Sequence, residues 1–183
     1  MASSSSFSSA GPWHDVAAAI AAARAEQDMT LDELYLEGDA AYDRGDYATA
    51  LDRFVRGADA GDGRAMSRLA NMYEDGVGVD VDFERSVEWD LKAVAAGFET
   101  SLINLGIKFR RAGSMRKARY WFERALDKGD GEAALELAKL YSVSDAEEAT
   151  ARRYLQSAAE AGRLSQASAE EIERLSKLEL SQW

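Results

Sequence analysis

Glycine recurs in this chain at positions 61, 97, 129 and 162, at spacings of 36, 32 and 33 residues. A fixed period in this range marks stacked supersecondary units, because one unit alone cannot bury its apolar face. Aligned backwards from each glycine, the chain reads ALDRFVRGADAG (50–61), SVEWDLKAVAAG (86–97), ARYWFERALDKG (118–129) and ARRYLQSAAEAG (151–162). A small residue stands eleven before the glycine each time: Ala50, Ser86, Ala118 and Ala151. Another stands four before it: Gly57, Ala93, Ala125 and Ala158. Between them lie large residues, notably Phe54, Trp89, Trp121, Phe122 and Tyr154. Small residues let two helices approach closely and the large ones fill the neighbouring gap. The glycine suits a helix C-terminus that turns into the left-handed conformation.

Each of these segments has a helical partner upstream: LYLEGDAAYDRG (34–45), AMSRLANMYEDG (65–76), SLINLGIKFRRAG (101–113) and AALELAKLYSV (133–143). A small residue occupies one slot in all four (Gly38, Ala70, Gly106, Ala138), and an aromatic follows it (Tyr42, Tyr73, Phe109, Tyr141). Ala65, Leu69, Met72 and Tyr73 keep the rhythm of an amphipathic helix. Thr30 and Glu33 form a capping box ahead of the first partner, and Ser168 and Glu171 supply a second near the end. The single proline, Pro12, leaves nearly the whole chain free for helix. The expectation is an all-α protein, an α-solenoid of about four tandem helix-turn-helix repeats over 31–162, divided as 31–61, 62–97, 98–129 and 130–162. Terminal repeats need their outer faces covered, so capping helices are expected at 13–30 and 163–183, behind a disordered Ser-rich tail at 1–12. The last helix reads alternatively as a partner-binding peptide anchored by Trp183.

The second unit, AMSRLANMYEDGVGVDVDFERSVEWDLKAVAAG, resembles a Sel-1-like repeat. Ala65, Leu69, Ala70, Tyr73, Gly76, Gly78, Val79, Trp89, Ala93 and Gly97 fit that pattern, with Ser86 where alanine is usual. The first unit is similar to a tetratricopeptide repeat through Gly38, Tyr42, Gly45, Tyr47, Ala50 and Phe54. The third keeps the same shorter spacing through Gly106, Gly113, Ala118, Phe122 and Ala125. Units three and four lack the G-x-G-V loop. The resemblance implies antiparallel helix pairs whose first helices line a concave surface.

Signals for bond chemistry are poor. Ser114, Met115, Arg116 and Lys117 match S-x-x-K, but K-T-G is absent, the nearest S-D-N approximation is Ser144-Asp145-Ala146, and Ser114 falls in a turn where serine is an ordinary cap. His14 is the single histidine and reads as a surface residue. Asp75, Asp80, Asp82 and Glu84 cluster without the ligand register of an EF-hand. They read as an interaction loop or a helix N-terminus charged to suit its dipole. No cofactor and no metal are expected. With no cysteine, a disulfide scaffold is excluded. The longest apolar run, Val16 to Ala23, is too short to span a membrane and has no basic residues ahead of it, so a cytoplasmic protein is expected.

The formal charge is −11, which disfavours nucleic acid. It is unevenly spread: Asp32 to Asp90 holds 16 acidic and 6 basic residues, a net of −10, and Lys108 to Lys128 holds 8 basic and 2 acidic, a net of +6. On the first helices the inner face is expected to show Tyr35, Asp39 and Asp43, then Ser67, Asn71, Glu74 and Asp75, then Ile103, Ile107, Arg110 and Arg111, then Leu135 and Lys139. Such a groove suits an extended peptide or helix. The leading expectation is a non-enzymatic adaptor or scaffold binding a protein or peptide of basic character, with no nucleic acid and no membrane as partner. One alternative is an immunity or inhibitor protein that neutralises a basic bacterial toxin, and a second is a β-lactamase-like hydrolase.

Overall fold

Thr30 opens the first described helix as a reciprocal cap. Its hydroxyl accepts from the Glu33 N–H, and the Glu33 carboxylate accepts from the Thr30 N–H at 2.8 Å. The computed structural model describes residues 28–142, 148–161 and 164–178, together with Ala19. Among these residues there are nine helices and no strand: α1 (Leu31–Asp43), α2 (Tyr47–Asp59), α3 (Gly63–Asp75), α4 (Phe83–Ala95), α5 (Thr100–Arg111), α6 (Met115–Leu126), α7 (Gly131–Tyr141), α8 (Glu148–Glu160) and α9 (Gln166–Ser176). They pair as the hairpins α1/α2, α3/α4, α5/α6 and α7/α8, each packed on its neighbour, with α9 against α7 and α8. The protein is therefore an α-solenoid. The expected tail, most of the first capping helix, His14, Ser144 to Ala146, Gly162 and Trp183 lie outside the described residues.

The recurring glycine ends a helix in one repeated way. Gly61, Gly97 and Gly129 have φ of 92°, 88° and 79°. Each donates its N–H to the carbonyl three residues back, and the following residue donates to the carbonyl five back, as in Asp62 to Gly57 and Phe98 to Ala93. That is the Schellman arrangement. A Cβ at these positions would sit in a backbone region L-residues seldom adopt.

The slots of small and large residues mesh as their spacing predicts. A Cβ on Gly38 would lie 2.6 Å from the Phe54 ring, and one on Gly106 would overlap the Phe122 ring. Both phenylalanines are fully buried. One apolar cluster joins the first two hairpins around Phe54, Leu69 and Met72. A second surrounds Leu105, Phe122 and Leu137, and a third joins α7 and α8 to α9 through Leu135, Leu155, Ile172 and Leu175.

The expected capping box at Ser168 is corrected. The cap of α9 is Ser165, whose hydroxyl accepts from the Ser168 N–H at 3.1 Å. The Ser168 side chain is drawn away to donate to Glu132 on α7. Burial raises the Glu132 carboxyl, but the hydrogen bonds from Ser168 and Ser165 outweigh it and leave it below its ordinary value.

Replacing Thr30 with alanine is expected to lower stability by about 1 kcal/mol, read from the midpoint of urea unfolding at unchanged slope. The Thr30 backbone and hydroxyl hold Glu33 below its usual carboxylate range. The contribution of this box is therefore present above that ordinary range and is lost as pH falls through the lowered folded value.

Candidate functional site

The first helices of successive hairpins are tied side by side through polar side chains about one repeat apart. Arg64 of α3 reaches Asp32 of α1 at 2.7 Å, and Arg68 pairs with Asp39. Asn104 of α5 donates to Ser67 at 3.3 Å, Lys108 lies 2.7 Å from Glu74, and Arg111 lies 3.0 Å from the same carboxylate. Arg110 reaches across to Glu136 on α7 at 3.1 Å, and Lys139 of α7 meets Glu171 of α9 at 2.9 Å. Every Lys and Arg within α3, α5, α7 and α9 takes part in such a pair or in one along its own helix.

This pairing alters how the expected inner face is read. Asp39, Glu74, Arg110 and Arg111 meet partners on neighbouring hairpins, and Lys139 meets one on α9. Asp43 and Asp75 are exposed and form no ion pair among the described residues. Tyr35 is half-buried, its ring against Phe54 and under the Arg64 guanidinium at 4.8 Å. Ile103 and Ile107 are half-buried against the second apolar cluster. Leu135 and Ser67, expected on the surface, are buried. Leu135 is taken up by the apolar contact with Ile172 and Leu175 of α9, and Ser67 accepts from Asn104.

Five of the expected residues, Asn71, Glu74, Asp75, Ile107 and Arg111, converge on one hollow between α3 and α5. Asn104 and Lys108 complete its lining. Tyr35, Asp39 and Asp43 lie outside it on α1, while Arg110 and Lys139 line a separate hollow with Met115, Arg119 and Leu140. Ile103 joins neither.

Lys108 is the residue that sequence reasoning missed. Its side chain is 1% exposed, and its ammonium lies 3.0 Å from Asp90 of α4, which is fully buried. Lys108 also approaches the Asn71 amide oxygen at 3.4 Å. Burial pushes the Asp90 carboxyl up, opposed first by the attraction of Lys108 and then by the polar side chains of Ser101 and Asn104 nearby. A signal existed. Asp90 stands four residues after Ser86, in the slot that Phe54, Phe122 and Leu155 fill in the other units, so an ionisable group was placed where an apolar one belongs.

The remaining candidates find ordinary roles. Ser114 stands before α6 but its hydroxyl makes no capping bond to the helix, and Lys117 lies over the Phe109 ring at 5.0 Å. Asp82 caps α4 by accepting from the Arg85 N–H at 2.9 Å, with Glu84 in the first turn. No group of three His, Asp or Glu among the described residues is placed to hold a metal ion. No helix among them is long and apolar enough to cross a membrane.

The Sel1 repeat family matches residues 63–98, 105–130 and 131–162, together just over half of the chain. The match takes in units three and four despite their shorter loops and leaves unit one outside. No curated protein gives a match. Among solved structures, a Sel1 repeat protein from Oxalobacter formigenes is 26% identical with a TM-score of 0.58, over 69% of this chain and 54% of that one. The protein c5321, a protective antigen of uropathogenic Escherichia coli strains with an SLR fold, is 21% identical with a TM-score of 0.63, over 88% of this chain and 37% of that one. This chain thus spans about half the length of the first and little more than a third of the second.

Proposed function

The chain belongs to the Sel1 repeat family, and from that premise we propose that it is a non-enzymatic scaffold which binds a protein segment against its row of first helices. Sel1 repeats generally serve as protein-interaction modules. One observation carries the reading to a place: the hollow where Asn71, Asn104, Ile107 and Asp75 come together beside the Lys108 and Glu74 pair. Its chemistry suits a peptide. The Asn71 and Asn104 amides each offer donors and an acceptor for a peptide backbone. Ile107 gives an apolar floor, and Asp75, which has no ion-pair partner among the described residues, offers a carboxylate to a cation of the partner. Glu74 and Arg111 satisfy each other at 3.0 Å and shape the wall. A partner segment of basic character, met in the cytoplasm, fits Asp43 and Asp75, the two acids of the expected inner face that form no ion pair among the described residues. Charge would then set on-rate and selectivity, and the apolar contact would supply affinity.

A photo-crosslinking residue at Ile107 tests this. The partner it captures is expected to bind the D75K and N104A variants about tenfold more weakly than wild type, as loss of a central hydrogen-bonding or charge contact would produce. The D75K variant should also show a flatter dependence on salt. Equal capture from a crosslinker at the exposed Leu91 on α4, or unchanged affinity in both variants, would overturn the assignment to this hollow.

A further inference from the structure

We propose that the outward face of α6 is a second docking surface, fitted to an acidic protein segment and separate from the hollow between α3 and α5. The observation is a contrast in charge pairing. The cations of α3, α5, α7 and α9 are neutralised by carboxylates. Arg116, Lys117, Arg119 and Arg124, all within the twelve residues of α6, form no ion pair with any described residue. Three of the four lie against aromatic rings instead: Lys117 over Phe109, Arg119 over Tyr141 at 4.4 Å, and Arg124 over Trp121 at 5.0 Å and Tyr120 at 5.8 Å. The inner side of the helix is fixed by the buried Ala118, Phe122 and Ala125. Arg116, Tyr120 and Arg124, spaced four apart, therefore form an outward stripe. Tyr120 is 53% exposed and Met115 is 49% exposed. Within α6 the acidic residue is Glu123, and it is half-buried.

A stripe of cations around an exposed aromatic matches an acidic segment with carboxylates near four-residue spacing and an apolar side chain to lie on Tyr120. The size of the patch favours a short segment over a nucleic acid. Screening falls off over about 10 Å at 0.1 M salt, so a peptide footprint stays within the local positive field. A long polyanion carries charge every few ångströms and would run onto the acidic units one and two. A second copy of the chain is disfavoured by its own −11.

The test uses a fluorescein-labelled peptide of about 16 residues, built from Glu, Ala and Leu with Glu at four-residue spacing, read by anisotropy against the full chain. The same peptide with every Glu replaced by Gln, and single-stranded DNA of equal length, are run beside it. Expected are binding of the Glu peptide, at least about tenfold weakening in the R116Q/K117Q/R124Q variant, and comparable weakening when salt is raised from about 50 to about 500 mM, as charge-dominated contacts require. Y120A should weaken it further, and N104A in the other hollow should leave it unchanged. All the substituted side chains of α6 are exposed, and circular dichroism of each variant should match wild type. The proposal is overturned by equal binding of the Gln peptide, by unchanged affinity in the triple variant, by tighter binding of DNA, or by absence of binding. Self-association of wild type in sedimentation velocity, abolished by the triple variant, would also overturn it and give the surface to a second copy.

Discussion

Replacing Lys108 with methionine is expected to lower stability by about 3–5 kcal/mol at neutral pH, the usual cost of leaving a buried charge without its partner. Asp90 has no access to water, and the Lys108 ammonium at 3.0 Å is its counter-charge. Glu74 would suffer less, because Arg111 stays 3.0 Å away and the site is partly open. The double variant K108M/D90L should recover most of the loss, since an apolar pair of similar volume often equals or exceeds a buried ion pair in stability. Leucine already occupies this slot in unit four as Leu155. The loss should also depend on pH. Burial raises the folded-state value of Asp90, and removing Lys108 raises it further. An acid raised in this way stabilises the fold fully below its unfolded value, about 3.9, and that contribution is lost as pH rises through the folded value. The deficit of K108M should therefore be largest near pH 7 and shrink towards acid. Urea unfolding of both chains across that range is the measurement, and a deficit of constant size would show that Asp90 is not its source.

Gly106→Ala should destabilise, against the ordinary trend. In an exposed helix interior this change stabilises by about 0.8–1 kcal/mol. Here the added methyl would overlap the ring of Phe122, which is fully buried and hemmed in by Leu105, Ala118 and Leu137. Overpacking of that kind costs about 1–3 kcal/mol, so a net loss is expected. Gly106→Val should be worse, because its branched side chain is larger and poorer in helix. The diagnostic result is non-additivity. F122L alone removes ring volume and destabilises. Combined with G106A it should cost less than the sum of the two, with a coupling above about 0.5 kcal/mol. Additive losses would mean that the glycine is not there to admit the ring.

The two predictions differ in how visible their residues are in the sequence. Gly106 and Phe122 are found by aligning repeats, because steric fit between two helices of one hairpin repeats with the period. The left-handed glycines are visible for the same reason. Alignment also sets Asp90 apart, as an acid in an apolar slot, but it does not reveal its counter-charge Lys108, because an ion pair belongs to one interface and does not recur. Counting charge along the chain showed an acidic half and a basic island. It did not show that Glu74 lies one repeat before Lys108 and Arg111, so that the two blocks neutralise each other across a seam. Comparing acids with bases about 30 to 37 residues onward would have exposed this. The start of α9 was misplaced for a local reason: Ser165 and Ser168 are both able caps, and the contact of Ser168 with Glu132 decides between them.

The direction of those seam contacts carries a consequence for how such an array can lengthen. At the first two seams the carboxylate comes from the earlier hairpin and the cation from the later one, in Asp39 with Arg68 and Glu74 with Lys108 and Arg111. At the next two the polarity reverses, in Arg110 with Glu136 and Lys139 with Glu171. The third hairpin is thus cationic toward both neighbours, and the four units are not interchangeable modules. Duplicating it in tandem would set Arg110 of one copy against Lys108 and Arg111 of the next. Gene duplication could extend this protein from its flanks, but the centre accepts no second copy of itself.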